Sequence, residues 1–310
     1  MVRSLDGLAK DLTAPFNNDF DKARVIYTWL HHNIVYDVDA FFSGNLESAT
    51  PESTLLSGAA VCEGYAGLFE HLADITGLQC HKVSGHGKGY GIEPLSENEP
   101  IPQMTSNHAW NCVMMENEWH LIDACWGAGA LDGTAWRIQL NSTWFTASAI
   151  EFGTKHFPED PSFQLTPEET TWEEYITAAP GPVLTPDFFV FGLHPLRIEP
   201  ATNKIPEKRF TKFSVSKRCE HMSTADADNY VFILAAADGL KDFTPLVFNE
   251  QEGAWTATIF TPRNGNVMLS VVDTVNYKDA KGLGVAGLSK AKGKKAMSVK
   301  GIATWTIVHL

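Results

Sequence analysis

Gly58-Ala59-Ala60-Val61-Cys62-Glu63-Gly64-Tyr65 is the stretch on which the fold turns. It reads as a loop ending in a cysteine that opens a helix. From Tyr65 the apolar residues recur at Leu68, Phe69, Leu72 and Ile75, one face at helical spacing, and Gly77 supplies a stop. Cys62 then sits on the first turn, where unpaired backbone N–H groups and the helix dipole favour negative charge. A thiolate is stabilised in such a place and is the form that attacks carbonyl carbon. The alternative for this residue type is a buried structural cysteine.

A second stretch works with the first. His108-Ala109-Trp110-Asn111-Cys112-Val113-Met114-Met115 and Glu118-Trp119-His120-Leu121-Ile122-Asp123 flank the polar pair Glu116-Asn117. Two apolar runs around a two-residue break read as a β-hairpin, with Asn117 tolerating positive φ. Met115 then faces Glu118, and Asp123 falls opposite Trp110 on the sheet face that carries His108. The two become diagonal neighbours, within reach of long side chains. A carboxylate beside an imidazole fixes its tautomer and stabilises the imidazolium. A one-residue slip in register would separate them.

Upstream, Ala23, Ile26, Tyr27 and Leu30 form the stripe of a helix over Asp19–Asn33, whose end His31 and His32 cap, followed by an extended exit at Ile34–Asp37. A polar stretch with Gly44, Asn45, Ser48 and Pro51 leads to the Cys62 helix. Downstream of it, Gln79–Ser84 reads as a strand. Gly85-His86-Gly87-Lys88-Gly89-Tyr90-Gly91 reads as a flexible wall over a cleft with His86 exposed, and Glu93–Gln103 as a surface loop. Leu131–Asn141 is expected to hold a strand with Trp136 and Ile138 facing in, and Thr166-Pro167-Glu168-Glu169 to start a helix.

A cysteine at a helix start with a histidine and an aspartate on paired strands is the constellation of papain-type chemistry. Cys62-Glu63-Gly64-Tyr65-Ala66, Asn107-His108-Ala109-Trp110-Asn111 and Trp119-His120-Leu121-Ile122-Asp123-Ala124-Cys125-Trp126-Gly127 together resemble the transglutaminase-like superfamily core. The resemblance is nearer to the kyphoscoliosis peptidase and hillarin-like group. It extends to Ala23–Trp29, Ile34–Asp37 and His156-Phe157-Pro158-Glu159-Asp160. It implies a papain-like α+β core with Cys62, His108 and Asp123 as the catalytic triad, and Trp29 as a candidate second oxyanion donor beside the Cys62 backbone N–H. It also implies a protein or peptide substrate and cytoskeletal partners. Cys125 departs from the pattern, which leads us to expect a threonine-like residue there.

Hydrolysis of the thioester would make the chain a peptidase, and capture by an amine a transglutaminase. The resemblance and the lack of a calcium-loop pattern favour the peptidase. A non-catalytic scaffold and a glycopeptide amidase are the other readings.

Ala178-Ala179-Pro180-Gly181-Pro182 reads as a linker that ends a first domain, 1–180. Over 183–310 strands are expected near Phe188–Ile198, Phe210–Ser216, Tyr230–Ala236, Leu246–Asn249, Trp255–Phe260, Asn266–Val272 and Met297–Val308, with turns at Asp238-Gly239 and Asn264-Gly265. Seven short strands suggest an antiparallel, immunoglobulin-like β-sandwich. Lys278–Lys295, rich in Lys, Gly and Ala, reads as a mobile loop.

The 310 residues are 44% hydrophobic and 20% charged, and carry a net charge of −13. Nucleic acid and anionic membrane call for a basic surface and are not expected as partners. No run approaches the ~20 apolar residues of a membrane span, and Met1–Gly7 has no signal-peptide core. Cys62, Cys80, Cys112, Cys125 and Cys219 contain no C-x-x-C pair. A reduced, cytoplasmic protein with free thiols, no cofactor and no metal is the expectation.

Overall fold

The structure, a computed structural model, describes residues 4–44, 49–92, 95, 99–219, 222–236 and 243–309. The chain forms two compact units, Met1–Ala178 and Ala179–Leu310.

The first unit opens with α1 (Leu5–Thr13) and α2 (Asp19–Asn33), capped by Ser4 and Asn18 side chains. β1 (Val35–Tyr36), α3 (Val38–Ser43), α4 (Pro51–Ser57) and β2 (Ala59–Ala60) lead to α5 (Cys62–Ile75). β1 and β2 pair in parallel, Tyr36 beside Ala60, which brings the Tyr36 segment to the start of α5. Buried Tyr65, Leu68, Phe69 and Leu72 line the inner face of α5, and Ile26, Leu30, Val113 and Ile122 join the same core. Four fully buried large side chains on one helix, at about 1.5–3 kcal/mol each, anchor Cys62 far more firmly than helix propensity could.

β3 (Cys80–Gly87), β4 (His108–Met115) and β5 (Glu118–Ile122) follow, then α6 (Ala124–Ala128). β6 (Gly129–Asp132), β7 (Ala135–Ile138), α7 (Thr143–Thr146), α8 (Ala149–Gly153), β8 (His156–Pro158) and α9 (Trp172–Thr177) complete the unit. The main sheet is antiparallel, in the order β5-β4-β3-β8. Its hairpin register is Met115↔Glu118 to Asn111↔Ile122, across a turn in which Glu116 and Asn117 both have positive φ.

Several expectations are corrected here. Gly85, His86 and Gly87 belong to β3, and His86 is buried. A Cβ at Gly85 would meet the Phe157 carbonyl and the Trp110 ring, and one at Gly87 would lie 3.0 Å from the His108 Cβ. These glycines form a flat strand that large rings cover, not a lid. Ile138 is 61% exposed because β6 and β7 form a separate two-stranded ribbon, while Trp136 stacks on Tyr36. The helix expected at Thr166 starts at Trp172, where Thr171 and Glu174 form a capping box. His31 does not cap its own helix: its Nδ1 lies 3.0 Å from the carbonyl of Ala128, the last residue of α6. Residues 45–48 of the polar stretch, and 93, 94 and 96–98 of the Glu93–Gln103 loop, lie outside the described residues.

In the second unit β9 (Val183–Leu184) and α10 (Pro186–Val190) precede β10 (Leu193–Glu199), β11 (Lys204–Pro206), β12 (Phe210–Lys217), α11 (Thr224–Ala227) and β13 (Phe232–Ala236). Then come β14 (Phe243–Pro245), β15 (Val247–Asn249), β16 (Ala254–Phe260), β17 (Gly265–Val275), β18 (Lys278–Asp279), α12 (Gly284–Ala291) and β19 (Met297–Val308). One sheet runs β10-β12-β16-β15; the other holds seven strands built on β11-β19-β17-β13-β14. Phe213, Val215 and Trp255 of the first share a core with Phe232, Leu269 and Trp305 of the second.

The seven expected strands gain β9, β11, β14 and β18, pieces of two or three residues too short to carry an alternating pattern. β11 runs parallel to β19, so the arrangement is not purely antiparallel. Phe188 lies in α10 rather than in a strand. Lys278–Lys295 is not a loop: α12 packs Leu288 and Ala291 against Val272 and Val275. The Asp238-Gly239 turn lies outside the described residues.

Candidate active site

Cys62 is the first residue of α5, and Val61 at the cap offers no side-chain hydrogen bond. The Gly64 N–H bonds the Val61 carbonyl, which leaves the N–H groups of Cys62 and Glu63 for whatever charge Cys62 carries or forms. His108 is the first residue of β4 and Asp123 follows the last residue of β5. Asp123 is fully buried and caps α6: its Oδ1 accepts from the Trp126 backbone N–H at 2.9 Å. Its Oδ2 lies 2.7 Å from His108 Nε2. That leaves Nδ1 as the ring nitrogen not engaged by Asp123, and the Cys62 side chain is near enough to raise the His108 pKa. The structure brings all three residues together, across a helix start and a hairpin end.

The electrostatics follow from this packing. Burial alone would lower the pKa of His108. The charge and hydrogen bond of Asp123, then the hydrogen bond and charge of Cys62, raise it to about 10. The direction of this shift favours the imidazolium form of His108. Burial would raise Asp123, but His108 and a second histidine, His156, hold it well below the usual carboxylate range.

His156 is the residue that sequence reasoning missed. It begins β8, and its Nε2 lies 2.9 Å from the same Asp123 Oδ2. The signal for it is the pairing of β3 with both β4 and β8: Gly85 faces His108 on one side and Gly87 faces His156 on the other. Nothing local in the sequence predicts that pairing. The ligand atoms of His108, Asp123 and His156 lie within 4.8 Å of one another, close enough to share a cation. The N···O distances of 2.7 and 2.9 Å are those of hydrogen bonds.

Rings enclose the site. Trp126 stacks on His108 with centroids 4.5 Å apart, and the chain of Gly89 passes against the other part of that indole. Asn107 clamps the neighbouring strand, its Oδ1 accepting from the Gly87 N–H at 2.7 Å. Tyr36, on β1, keeps its phenol proton: burial first, then the charges of Cys125, Cys62 and Asp123, raise its pKa. It is thus a donor in the neighbourhood of the same charges. Cys125 is buried, and its thiol is likewise pushed up by burial, then by Asp123 and Cys62. Trp29, on α2, is half-buried against the core, and its carbonyl accepts from Asn33.

Residues 6–124 match the model of the transglutaminase-like superfamily. Over 163 residues, 52% of this chain, the sequence is 34% identical to kyphoscoliosis peptidase of Mus musculus. Over 177 residues, 54% of this chain, it is 27% identical to a Lim and transglutaminase domain protein of Caenorhabditis elegans. The alignments span 24% of each of these relatives, so the chain matches about a quarter of their length. A solved structure described as a TGase aligns with 44% of this chain and 32% of its own, at 17% identity and a TM-score of 0.31.

Proposed function

The chain belongs, through its first unit, to the transglutaminase-like superfamily and its kyphoscoliosis peptidase-like group, and from that premise we propose that it is a cysteine-nucleophile enzyme acting on peptide or glutamine carboxamide bonds, with hydrolysis as the outcome. The observation that carries this reading is the buried His108–Asp123 pair at 2.7 Å, with a cysteine at a helix start near enough to raise the His108 pKa.

In this proposal Cys62, His108 and Asp123 are the catalytic residues. The Cys62 thiolate attacks the carbonyl carbon while His108 holds the proton. The oxyanion forms at the first turn of α5, where the Cys62 backbone N–H points to it. Trp29 is the candidate second donor, and Tyr36 is another. Collapse of the tetrahedral intermediate breaks the C–N bond, and His108 passes its proton to the departing amine. The thioester then meets water, His108 takes a proton from it, and the acid and the free cysteine are released. Asp123 holds the ring so that Nδ1 faces sulfur throughout. No cofactor enters these steps.

The second unit, read as a sandwich of immunoglobulin-like type over 183–310, would dock a protein partner or substrate for the enzyme domain of 1–180, with cytoskeletal proteins as the partner class and the cytoplasm as the setting. No helix among the described residues is long and apolar enough to cross a membrane.

Hydrolysis and amine transfer are separated by offering a glutamine-containing protein with and without a labelled primary amine. Cys62-dependent release of ammonia or of new peptide termini, with little label incorporated, is expected. Efficient Cys62-dependent incorporation of the amine would make the chain a transglutaminase. No Cys62-dependent product with either acceptor, across a broad substrate panel, would make it a scaffold.

A further inference from the structure

Asp123 Oδ2 has two imidazoles on it, and only one of them has been given a task. His156 is buried. Its ring stacks on Phe152 at 3.9 Å, and Trp126, Trp110 and Trp144 close around it at 4.4, 5.0 and 5.1 Å. The titratable groups that face it among the described residues are Asp123 and His108; the rest of its wall is aromatic.

Its two nitrogens meet two acceptors. Nε2 is 2.9 Å from the Asp123 carboxylate and Nδ1 is 3.2 Å from the Phe152 carbonyl. A neutral imidazole has one N–H, so it can serve only one of them. The aromatic wall disfavours the charged form: burial, and to a lesser extent the charge of His108, lower the His156 pKa to about 4 against the pull of Asp123. The single proton belongs on the nitrogen that faces the nearer and charged acceptor, since a hydrogen bond to a carboxylate is about twice as strong as one to a carbonyl.

Resting on the triad reading above, we propose that His156 is a positioning residue of the site: as a neutral imidazole protonated at Nε2, it donates to the same Asp123 oxygen as His108 and keeps that carboxylate ionised and aimed. Asp123 then accepts from three donors, His108 and His156 on Oδ2 and the Trp126 N–H on Oδ1. The shared oxygen divides its negative charge between two protons. It therefore stabilises the His108 imidazolium less than a carboxylate serving one histidine would, and the opposite proton, on Nδ1, is the freer to move to the leaving amine.

Two measurements on the full chain test this. Long-range ¹H–¹⁵N correlations of the histidine rings, with His156 assigned by its loss in His156→Gln, should show the Nε2–H neutral tautomer from pH 6 to 8. The Nδ1–H tautomer, or an imidazolium, would overturn the proposal. The second measurement is the pH dependence of Cys62 acylation by a glutamine-mimic electrophile. His156→Phe keeps a ring against Phe152 and removes the donor, so the alkaline limb, set by His108, should move to higher pH by about one unit, as expected when Asp123 loses one hydrogen bond and holds the imidazolium more tightly. His156→Gln, which keeps an N–H near the Nε2 position, should restore most of the wild-type profile. A Phe variant with wild-type limbs would reduce His156 to packing. If that variant does not fold, the tautomer decides. Wild-type Cys62 that the probe never labels would refute the enzymatic reading instead, and the tautomer would still report on His156.

Discussion

Replacing Cys62 with alanine is expected to cost on the order of 10⁶-fold in kcat. The sulfur is the atom that forms the thioester, and no other cysteine can stand in for it. Cys80, Cys112 and Cys125 are buried, and Cys219 belongs to the other unit. Burial also pushes the Cys80, Cys112 and Cys125 thiols up, which keeps them protonated. His108→Ala should cost about as much as Cys62→Ala, and the double variant no more than either, because the members of a triad act as a unit. Cys62 is only half-buried, so the alanine variant should unfold within about 0.5 kcal/mol of wild type. Steady-state turnover, paired with thermal unfolding of each variant, checks this. A Cys62→Ala chain that keeps its turnover would dismiss the nucleophile.

Asp123→Asn is expected to lower the rate by about 10⁴-fold, and here the structure adds a reason. The carboxylate accepts three N–H groups; an amide has one oxygen and one NH₂. With the amide oxygen toward the histidines, the NH₂ meets the Trp126 N–H head on. With the amide turned round, its NH₂ faces His108 Nε2 and His156 Nε2, and both rings must move their proton to Nδ1. For His108 that puts a proton where the Cys62 proton has to arrive, so it can no longer serve as the base. The first arrangement leaves a buried donor without an acceptor, at a cost of about 1–3 kcal/mol; the second satisfies its donors, His156 Nδ1–H on the Phe152 carbonyl, and gives up the base instead. The variant should therefore lose rate by turnover, and thermal unfolding should report which arrangement it takes, since only the first costs stability. A variant at near wild-type rate would show that Asp123 does not set the tautomer.

What the sequence made legible is local. The α5 stripe from Tyr65 to Ile75 has one period and one stop, and its start at Cys62 can be read directly. The hairpin register is equally local, since a two-residue turn with Asn117 at positive φ admits one pairing of its strands. His156 could not be read in this way. It reaches Asp123 only because β8 pairs with β3, across a separation of about seventy residues that no periodicity encodes. The glycine run of residues 85–89 misled for a related reason. Glycine density usually marks a turn, but here it marks a floor over which Trp110, His108 and Trp126 lie. The helix at Gly284–Ala291 was hidden by poor helix formers. Its Leu288 and Ala291 are held by Val272 and Val275 of the neighbouring strand, so tertiary packing overrides propensity.

The most direct test of the central claim is to treat the folded chain with an electrophilic glutamine or peptide mimic and locate the adduct by mass spectrometry. The account predicts a single adduct, on Cys62, that is lost in His108→Ala while the other four cysteines remain unmodified. An adduct on Cys62 only after unfolding, or labelling of Cys219 at an equal rate, would contradict it.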